Sequence, residues 1–126
     1  MLKLLAVGVG GFIGAVARYL LSGLAHRLWS TTFPIGTLTV NVLGCLVIGV
    51  LTVLVEGDCL TSPNVRLLLM VGLLGALTTF STFGYETVEC MSGGQYGLAA
   101  LNVAANVTLG VGAVLLGRAA VNLVIS

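Results

Sequence analysis

Charged side chains are scarce in this sequence. Lysine, arginine, aspartate and glutamate together make up 7% of its 126 residues, whereas hydrophobic residues make up 58%. A soluble domain carries about 25% charged residues, so this chain has too few polar side chains to cover a surface that faces water. The composition therefore predicts a membrane protein, and the length predicts a single domain, residues 1–126.

Further absences argue against several classes of function. The net charge is only +1, which gives no basic surface of the kind that binds nucleic acid. Cys45, Cys59 and Cys90 are odd in number, lie far apart and form no CxxC pair, which argues against a disulfide framework or a zinc site. The sequence has no pattern of nucleophile and base or of clustered metal ligands. We therefore do not expect an enzyme.

Four hydrophobic segments are long enough to cross a bilayer, which takes about 20 apolar residues. They cover residues 4–25, 35–55, 67–85 and 97–117. The sequences between them, HRLWSTTFP, EGDCLTSPN and SGGQ, are rich in turn formers, charge or both. The sequence thus predicts an all-α membrane protein with four transmembrane helices.

The basic residues give almost no preference for one orientation in the membrane. Short loops with more lysine and arginine stay on the cytoplasmic side. Here one side of the membrane carries three such residues and the other side carries two. Toward one side lie Lys3, Arg66 and Arg118, and toward the other Arg18 and Arg27. This count indicates either a weakly determined topology or insertion in both orientations.

Acidic side chains are missing from the middle of the segments. Glu86 and Glu89 lie at the trailing end of the third, and the one histidine, His26, is predicted in a loop. Proton-coupled carriers keep ionisable groups at membrane depth. The alternative of a small dual-topology, proton-coupled multidrug exporter needs a carboxylate in its first helix, where this chain has Arg18.

Small and polar residues are abundant instead. Gly10 and Gly14 form a GxxxG motif, which predicts close contact between membrane helices. Asn41 lies midway along the second segment, and Asn102 and Asn106 lie four residues apart in the fourth. Buried amides must find partners or line water. Two interpretations remain open: hydrogen bonds between helices, worth about 0.6 kcal/mol each, or a polar track through the bundle.

The third segment contains an unusual stretch, GLLGALTTFSTFGYE, at residues 72–86. Its glycines and hydroxyl side chains compete with continuation of a helix. A broken helix exposes carbonyls that suit a cation at one half-helix end and N–H groups that suit an anion at the other. Phe80 and Phe83 could offer positively polarised ring edges to a small anion, although two phenylalanines also suit plain packing.

Three segments of the chain resemble the signatures of one known family. They are GGFIGAVARY at residues 10–19, PIGTLTVNVLG at residues 34–44 and GLLGALTTFSTFGYET at residues 72–87. Together with the length and the four-span layout, they are similar to the Fluc/CrcB fluoride channels over essentially the whole chain. The resemblance implies a passive, fluoride-selective channel in the plasma membrane that exports fluoride from the cytoplasm. It also implies an antiparallel, dual-topology homodimer with two pores.

The resemblance assigns roles to individual residues as well. It implies that the third helix is broken and that a structural sodium ion binds to the backbone carbonyls of Gly75 and Thr78 on the two-fold axis. It implies a fluoride path lined by Asn41, Phe80, Ser81, Thr82 and Phe83. Glu86 corresponds to a family acid near the pore. Asn102 and Asn106 stand where family members differ, and their place in the fluoride path is our own inference.

Overall fold

The structure is a computed structural model that describes residues 1–125, and every regular element within them is a helix. In chain order the elements are α1 (Leu2–Leu28), α2 (Ile35–Glu56), α3 (Pro63–Arg66), a π-helix (Leu67–Leu73), α4 (Leu74–Leu77), α5 (Phe80–Ser92) and α6 (Tyr96–Ile125). Four stretches are long and apolar enough to cross a membrane: α1, α2, α6 and the combined run Pro63–Ser92. The prediction of an all-α protein with four membrane-spanning helices is confirmed.

The helices extend beyond the hydrophobic segments from which they were predicted. The clearest difference is His26, which lies in the last turn of α1 and not in a loop. Backbone hydrogen bonding continues past His26 and Arg27 as far as Trp29, whose extended backbone (φ −119°, ψ 98°) ends α1. Hydropathy marks the part of a helix that suits lipid, whereas the helix itself ends where its backbone geometry changes.

Glycines allow the helices to approach each other closely. A Cβ atom at Gly10 would collide with the carbonyl oxygen of Leu68, and one at Gly14 would collide with that of Leu73. The GxxxG motif therefore brings α1 against the π-helix, as small residues do in membrane proteins. Glycine also allows α2 and α6 to lie close together, because a Cβ atom at Gly117 would collide with the carbonyl oxygen of Leu46.

One ion pair joins α2 to α6 at the end of the bundle. Both guanidinium NH2 groups of Arg118 donate to the Glu56 carboxylate, at 3.0 and 2.9 Å. Farther along, glycines bring these two helices close together, and the buried core of Val40, Leu74 and Leu77 ties α2 to α4. This core lies directly before the point where the third span is interrupted.

Much of the apolar surface faces outward. Leu4, Phe12 and Leu116 are each more than two-thirds exposed. Large exposed apolar surface in a soluble protein marks an interaction site or an aggregation risk. On four helices that are long enough to span a bilayer, such a surface suits lipid and partner helices.

Candidate functional site

Two residues with extended backbone, Thr78 and Thr79, separate α4 from α5. Their dihedral angles are φ −80°, ψ 155° for Thr78 and φ −149°, ψ 109° for Thr79. Thr79 caps α5, because its side-chain oxygen accepts the backbone N–H of Thr82 at 3.2 Å. The TTFST sequence thus ends one helix and starts another within two residues, as expected for Thr at an N-cap. We call residues 78–79 the interruption.

The side chain of Asn41 satisfies the backbone of the interruption. Its Oδ1 accepts the N–H of Thr79 at 2.8 Å, and its Nδ2 donates to the Thr79 carbonyl oxygen at 3.3 Å. Non-helical backbone at membrane depth requires such partners, since unpaired N–H and C=O groups are costly in hydrocarbon. Asn41 on α2 therefore supplies hydrogen bonds that a continuous helix would have supplied itself.

Four backbone carbonyls, those of residues 75–78, lose their helical donors at this point. In a continuous α-helix the N–H of Thr79 would bond to Gly75, and that of Thr82 would bond to Thr78. Instead these two N–H groups are directed to Asn41 Oδ1 and to Thr79 Oγ1. Two of these four carbonyls, those of Gly75 and Thr78, are the ones that the sequence resemblance associated with a cation. Gly75 is exposed, and the space where its Cβ would stand is open.

The three amides predicted inside the spans are linked to one another. Asn41 Nδ2 donates to Asn106 Oδ1 at 2.9 Å, and Asn106 Nδ2 donates to Asn102 Oδ1 at 3.0 Å. Asn102 is fully buried, and its Nδ2 donates to Thr87 Oγ1 on α5 at 2.9 Å. Of the two interpretations left open by the sequence, hydrogen bonding between helices is therefore observed.

A cleft of about 440 Å³ lies beside the interruption. Six of the residues predicted from the sequence line it: Asn41, Gly75, Thr78, Phe80, Phe83 and Asn106. Aliphatic side chains complete its walls, among them Ile48, Met70 and Val107. Residues from α2, the third span and α6 thus meet at one place, although they are far apart in sequence.

The two phenylalanines that line this cleft lie side by side. Their ring centroids are 5.4 Å apart and the ring planes are inclined by 54°. Phe80 is 82% exposed, so its ring packs against little within this chain. Such exposure does not fit a residue that merely fills the core of one subunit.

The remaining predicted residues lie around the cleft without lining it. Ser81 and Thr82 are exposed in the first turn of α5, and their hydroxyl groups lie 3.4 and 2.9 Å from Thr79 Oγ1. Asn102 lies behind Asn106 and reaches the cleft only through it. The residues named from the sequence thus lie close together, as one cluster of hydroxyl groups, amides and aromatic rings.

A contact between Thr37 and Glu86 was not predicted. The Thr37 hydroxyl donates to Glu86 Oε1 at 2.7 Å. Within residues 1–125, Glu86 Oε2 is buried and has no hydrogen-bond partner. The sequence held one signal for this contact, because Thr37 lies one helical turn before Asn41 on the same face of α2.

Comparison with protein families gives a match over most of the chain. Residues 5–118 match the family described as "CrcB-like protein, Camphor Resistance (CrcB)". The chain belongs to the CrcB family. The residues in and around the cleft fall inside the matched region.

Individual relatives within the CrcB family are similar over nearly their whole length. A protein of Sulfurovum sp. (strain NBC37-1) is 51% identical over 114 residues, which is 90% of this chain and 89% of that protein. A protein of Methanopyrus kandleri is 49% identical over 97% of this chain and 91% of its own length. One of Maridesulfovibrio salexigens is 40% identical over 100% of both. Each of the three is named a fluoride-specific ion channel, FluC.

Proposed function

We propose that this chain forms a passive, fluoride-selective channel in the plasma membrane and lets fluoride leave the cytoplasm. The observation that carries this proposal is the 40 to 51% identity, over nearly the whole chain, to proteins named fluoride-specific ion channels. The cleft supplies chemistry that suits the same ion. The CrcB family is a channel family, so the protein is not an enzyme. Arg18 in α1, where a multidrug exporter needs a carboxylate, disfavours that alternative.

The proposed fluoride path combines neutral hydrogen-bond donors with aromatic edges. Asn41 and Asn106 offer amide groups, Ser81 and Thr82 offer hydroxyl groups, and Phe80 and Phe83 offer ring edges with partial positive charge. Asn102 contributes through its bond to Asn106. None of the residues that line the cleft is a lysine or an arginine. Conduction requires an ion to be bound strongly enough to enter and weakly enough to leave, and neutral donors meet both conditions.

A second copy of the chain would close this path. The cleft is open on one side, and Phe80 projects from it with 82% of its surface exposed. Because lysine and arginine are nearly balanced between the two sides of the membrane, the chain has the charge distribution of a protein that inserts both ways. An antiparallel homodimer with dual topology would place the two interruptions near one two-fold axis and give each cleft a second wall.

The same dimer would complete a structural sodium site. The carbonyls of Gly75 and Thr78 have lost their helical donors, as described above, so they fit a cation. Two oxygen atoms are too few for a hard cation, which prefers several oxygen ligands. A two-fold axis through the interruption would double the two carbonyls to four. Sodium bound there would tie the third spans together and add positive charge between the two fluoride paths.

Fluoride release from liposomes that contain only this protein tests the proposed function. We expect rapid fluoride efflux and slow chloride efflux, because the cleft offers small neutral donors and no large cationic site. Protein-free liposomes give the background. Rapid chloride efflux, or fluoride efflux no faster than background from a correctly assembled dimer, would refute the proposal.

A further inference from the structure

The hydrogen bonds that leave Asn41 continue across α6 to α5 in a single direction. Asn41 donates to Asn106, and Asn106 donates to Asn102. Asn102 Nδ2 then donates to Thr87 Oγ1 at 2.9 Å, and the Thr87 hydroxyl donates to the carbonyl oxygen of Phe83 at 2.7 Å. We call the four side chains of Asn41, Asn106, Asn102 and Thr87 the relay.

Backbone groups fix the direction of the relay at both ends. At the first end, the N–H of Thr79 can only donate, so the atom of Asn41 that faces it at 2.8 Å is the oxygen Oδ1. At the other end, the carbonyl of Phe83 can only accept, so the Thr87 hydroxyl donates to it and accepts from Asn102. Reversal of any one amide between these ends would bring two oxygens, or two NH2 groups, face to face.

We propose that Asn102 and Thr87 are positioning residues that stabilise the orientation in which the Thr79 backbone holds the amide of Asn41. In this orientation the carbonyl oxygen of Asn41 accepts the backbone N–H of Thr79, and its NH2 group donates to Asn106 Oδ1 and to the Thr79 carbonyl. The NH2 group, which carries partial positive charge, is thus the end of the Asn41 amide that faces Asn106 in the cleft wall. This inference rests on the proposed function, because the ion concerned is the fluoride of the proposed path.

Neither positioning residue lines the cleft. Asn102 is fully buried behind Asn106, and Thr87 lies on α5 beyond it. Neither side chain therefore meets an ion in the cleft directly. An effect of Asn102 or Thr87 on the Asn41 amide must pass through Asn106, whereas the bond from Thr87 to the Phe83 carbonyl is a separate contact with the cleft wall, and only the first route changes the environment of the Thr79 N–H. A residue that only packed between α5 and α6 would act through shape, whereas a member of the relay acts through its hydrogen bonds.

Thr87 allows these two roles to be separated. Thr87→Val keeps the shape of the side chain but removes the hydroxyl, whereas Thr87→Ser keeps the hydroxyl and removes a methyl group. Thr108→Val is the matched control, because the Thr108 hydroxyl on α6 makes the same kind of bond to the carbonyl four residues earlier (2.7 Å to Ala104) and takes no part in the relay. We expect Thr87→Val to lower fluoride efflux about fivefold, the effect of weakening one neutral hydrogen bond. Thr87→Ser and Thr108→Val should resemble wild type.

Exchange of the Thr79 backbone amide gives a second measurement that does not depend on transport. If Asn41 is released to reverse, the N–H of Thr79 loses its acceptor and exchanges faster, by about the same fivefold factor in Thr87→Val. The rate is measured by NMR or mass spectrometry on the dimer in lipid nanodiscs. A wild-type protein that carries no fluoride would refute the proposed function, and the Thr79 exchange rates would still report on the relay.

Two results would overturn the proposal that Asn102 and Thr87 are positioning residues. One is Thr87→Val with wild-type efflux and wild-type Thr79 exchange. The other is equal impairment of Thr87→Val and Thr87→Ser, which would assign the effect to shape. If Thr87→Val does not assemble as a dimer, Asn102→Leu removes the same hydrogen bond between Asn102 and Thr87 from the α6 side. Fluoride efflux and Thr79 amide exchange of that variant then test the proposal.

Discussion

Replacing Asn41 with aspartate would change one NH2 group into an oxygen atom and leave the shape of the side chain nearly unchanged. The bond from the Thr79 N–H to Oδ1, at 2.8 Å, would remain. The bonds from Nδ2 to Asn106 Oδ1, at 2.9 Å, and to the Thr79 carbonyl, at 3.3 Å, would become contacts between oxygen atoms. The variant therefore keeps the bond from the Thr79 N–H and removes the donor group that links Asn41 to Asn106 in the cleft wall.

The expected loss of fluoride conduction by Asn41→Asp is large. A carboxylate about 4 Å from a fluoride ion repels it by about 4 kcal/mol at an effective dielectric constant of about 20. Since about 1.4 kcal/mol corresponds to a factor of ten, occupancy beside the carboxylate falls roughly 1,000-fold. If burial keeps the introduced carboxyl group protonated, the loss is that of a single donor and amounts to about tenfold. Either state lowers conduction.

The assay is fluoride efflux from liposomes at equal amounts of assembled protein, with size-exclusion chromatography as the check on assembly. Asn64→Asp is the control, because it makes the same chemical change in α3, outside the cleft. We expect the control to conduct like wild type. Wild-type efflux from an assembled Asn41→Asp dimer would remove Asn41 from the fluoride path.

Three further predictions concern the rings, the cation and the helix contacts. Phe80→Ile and Phe83→Ile should each assemble, since apolar volume is roughly kept, but should conduct much less fluoride; two fully active variants would make the rings packing residues. Removal of sodium should lower the melting temperature of the dimer, and Thr78→Ser should keep this response because a backbone carbonyl binds the ion; a melting temperature independent of sodium would exclude the site. In thermal unfolding, Gly117→Ala should destabilise the protein by about 1–3 kcal/mol, because its Cβ meets backbone of α2, whereas Gly112→Ala, which meets nothing within 4 Å, should be neutral or stabilising.

The four spans could be predicted from sequence because lipid imposes a single requirement on composition and length. The GxxxG motif of Gly10 and Gly14 correctly predicted a close contact between helices, because a side chain at either position would collide with the backbone of the neighbouring helix. Helix ends were predicted less well. His26 lies inside α1 because hydrogen bonding between backbone groups does not depend on whether the side chain suits lipid.

The π-helix at Leu67–Leu73 gave no signal in the sequence. Its residues, LLLMVGL, are equally compatible with an α-helix, and the wider turn changes only the backbone pairing, as in the bond from the N–H of Leu74 to the carbonyl of Leu69. The relay was hidden for another reason. Its four side chains lie on three different helices, and amide spacing alone does not show that Asn41 pairs with backbone 38 residues away.

The interruption also separates backbone acceptors from backbone donors. The N–H groups of Thr79 and Thr82 both find side-chain oxygens, while the carbonyls of residues 75–78 lose the donors they would have had in a continuous helix. The N–H groups of Phe80 and Ser81 lose their helical acceptors in the same way, as at the start of any helix. The carbonyl side of the interruption therefore attracts a cation, and the N–H side attracts an anion. In the proposed channel, fluoride would be met on the N–H side, where the hydroxyl groups and the two phenylalanine rings of α5 also lie, and a positive ion at the carbonyls would offset the repulsion that these oxygens exert on fluoride passing nearby.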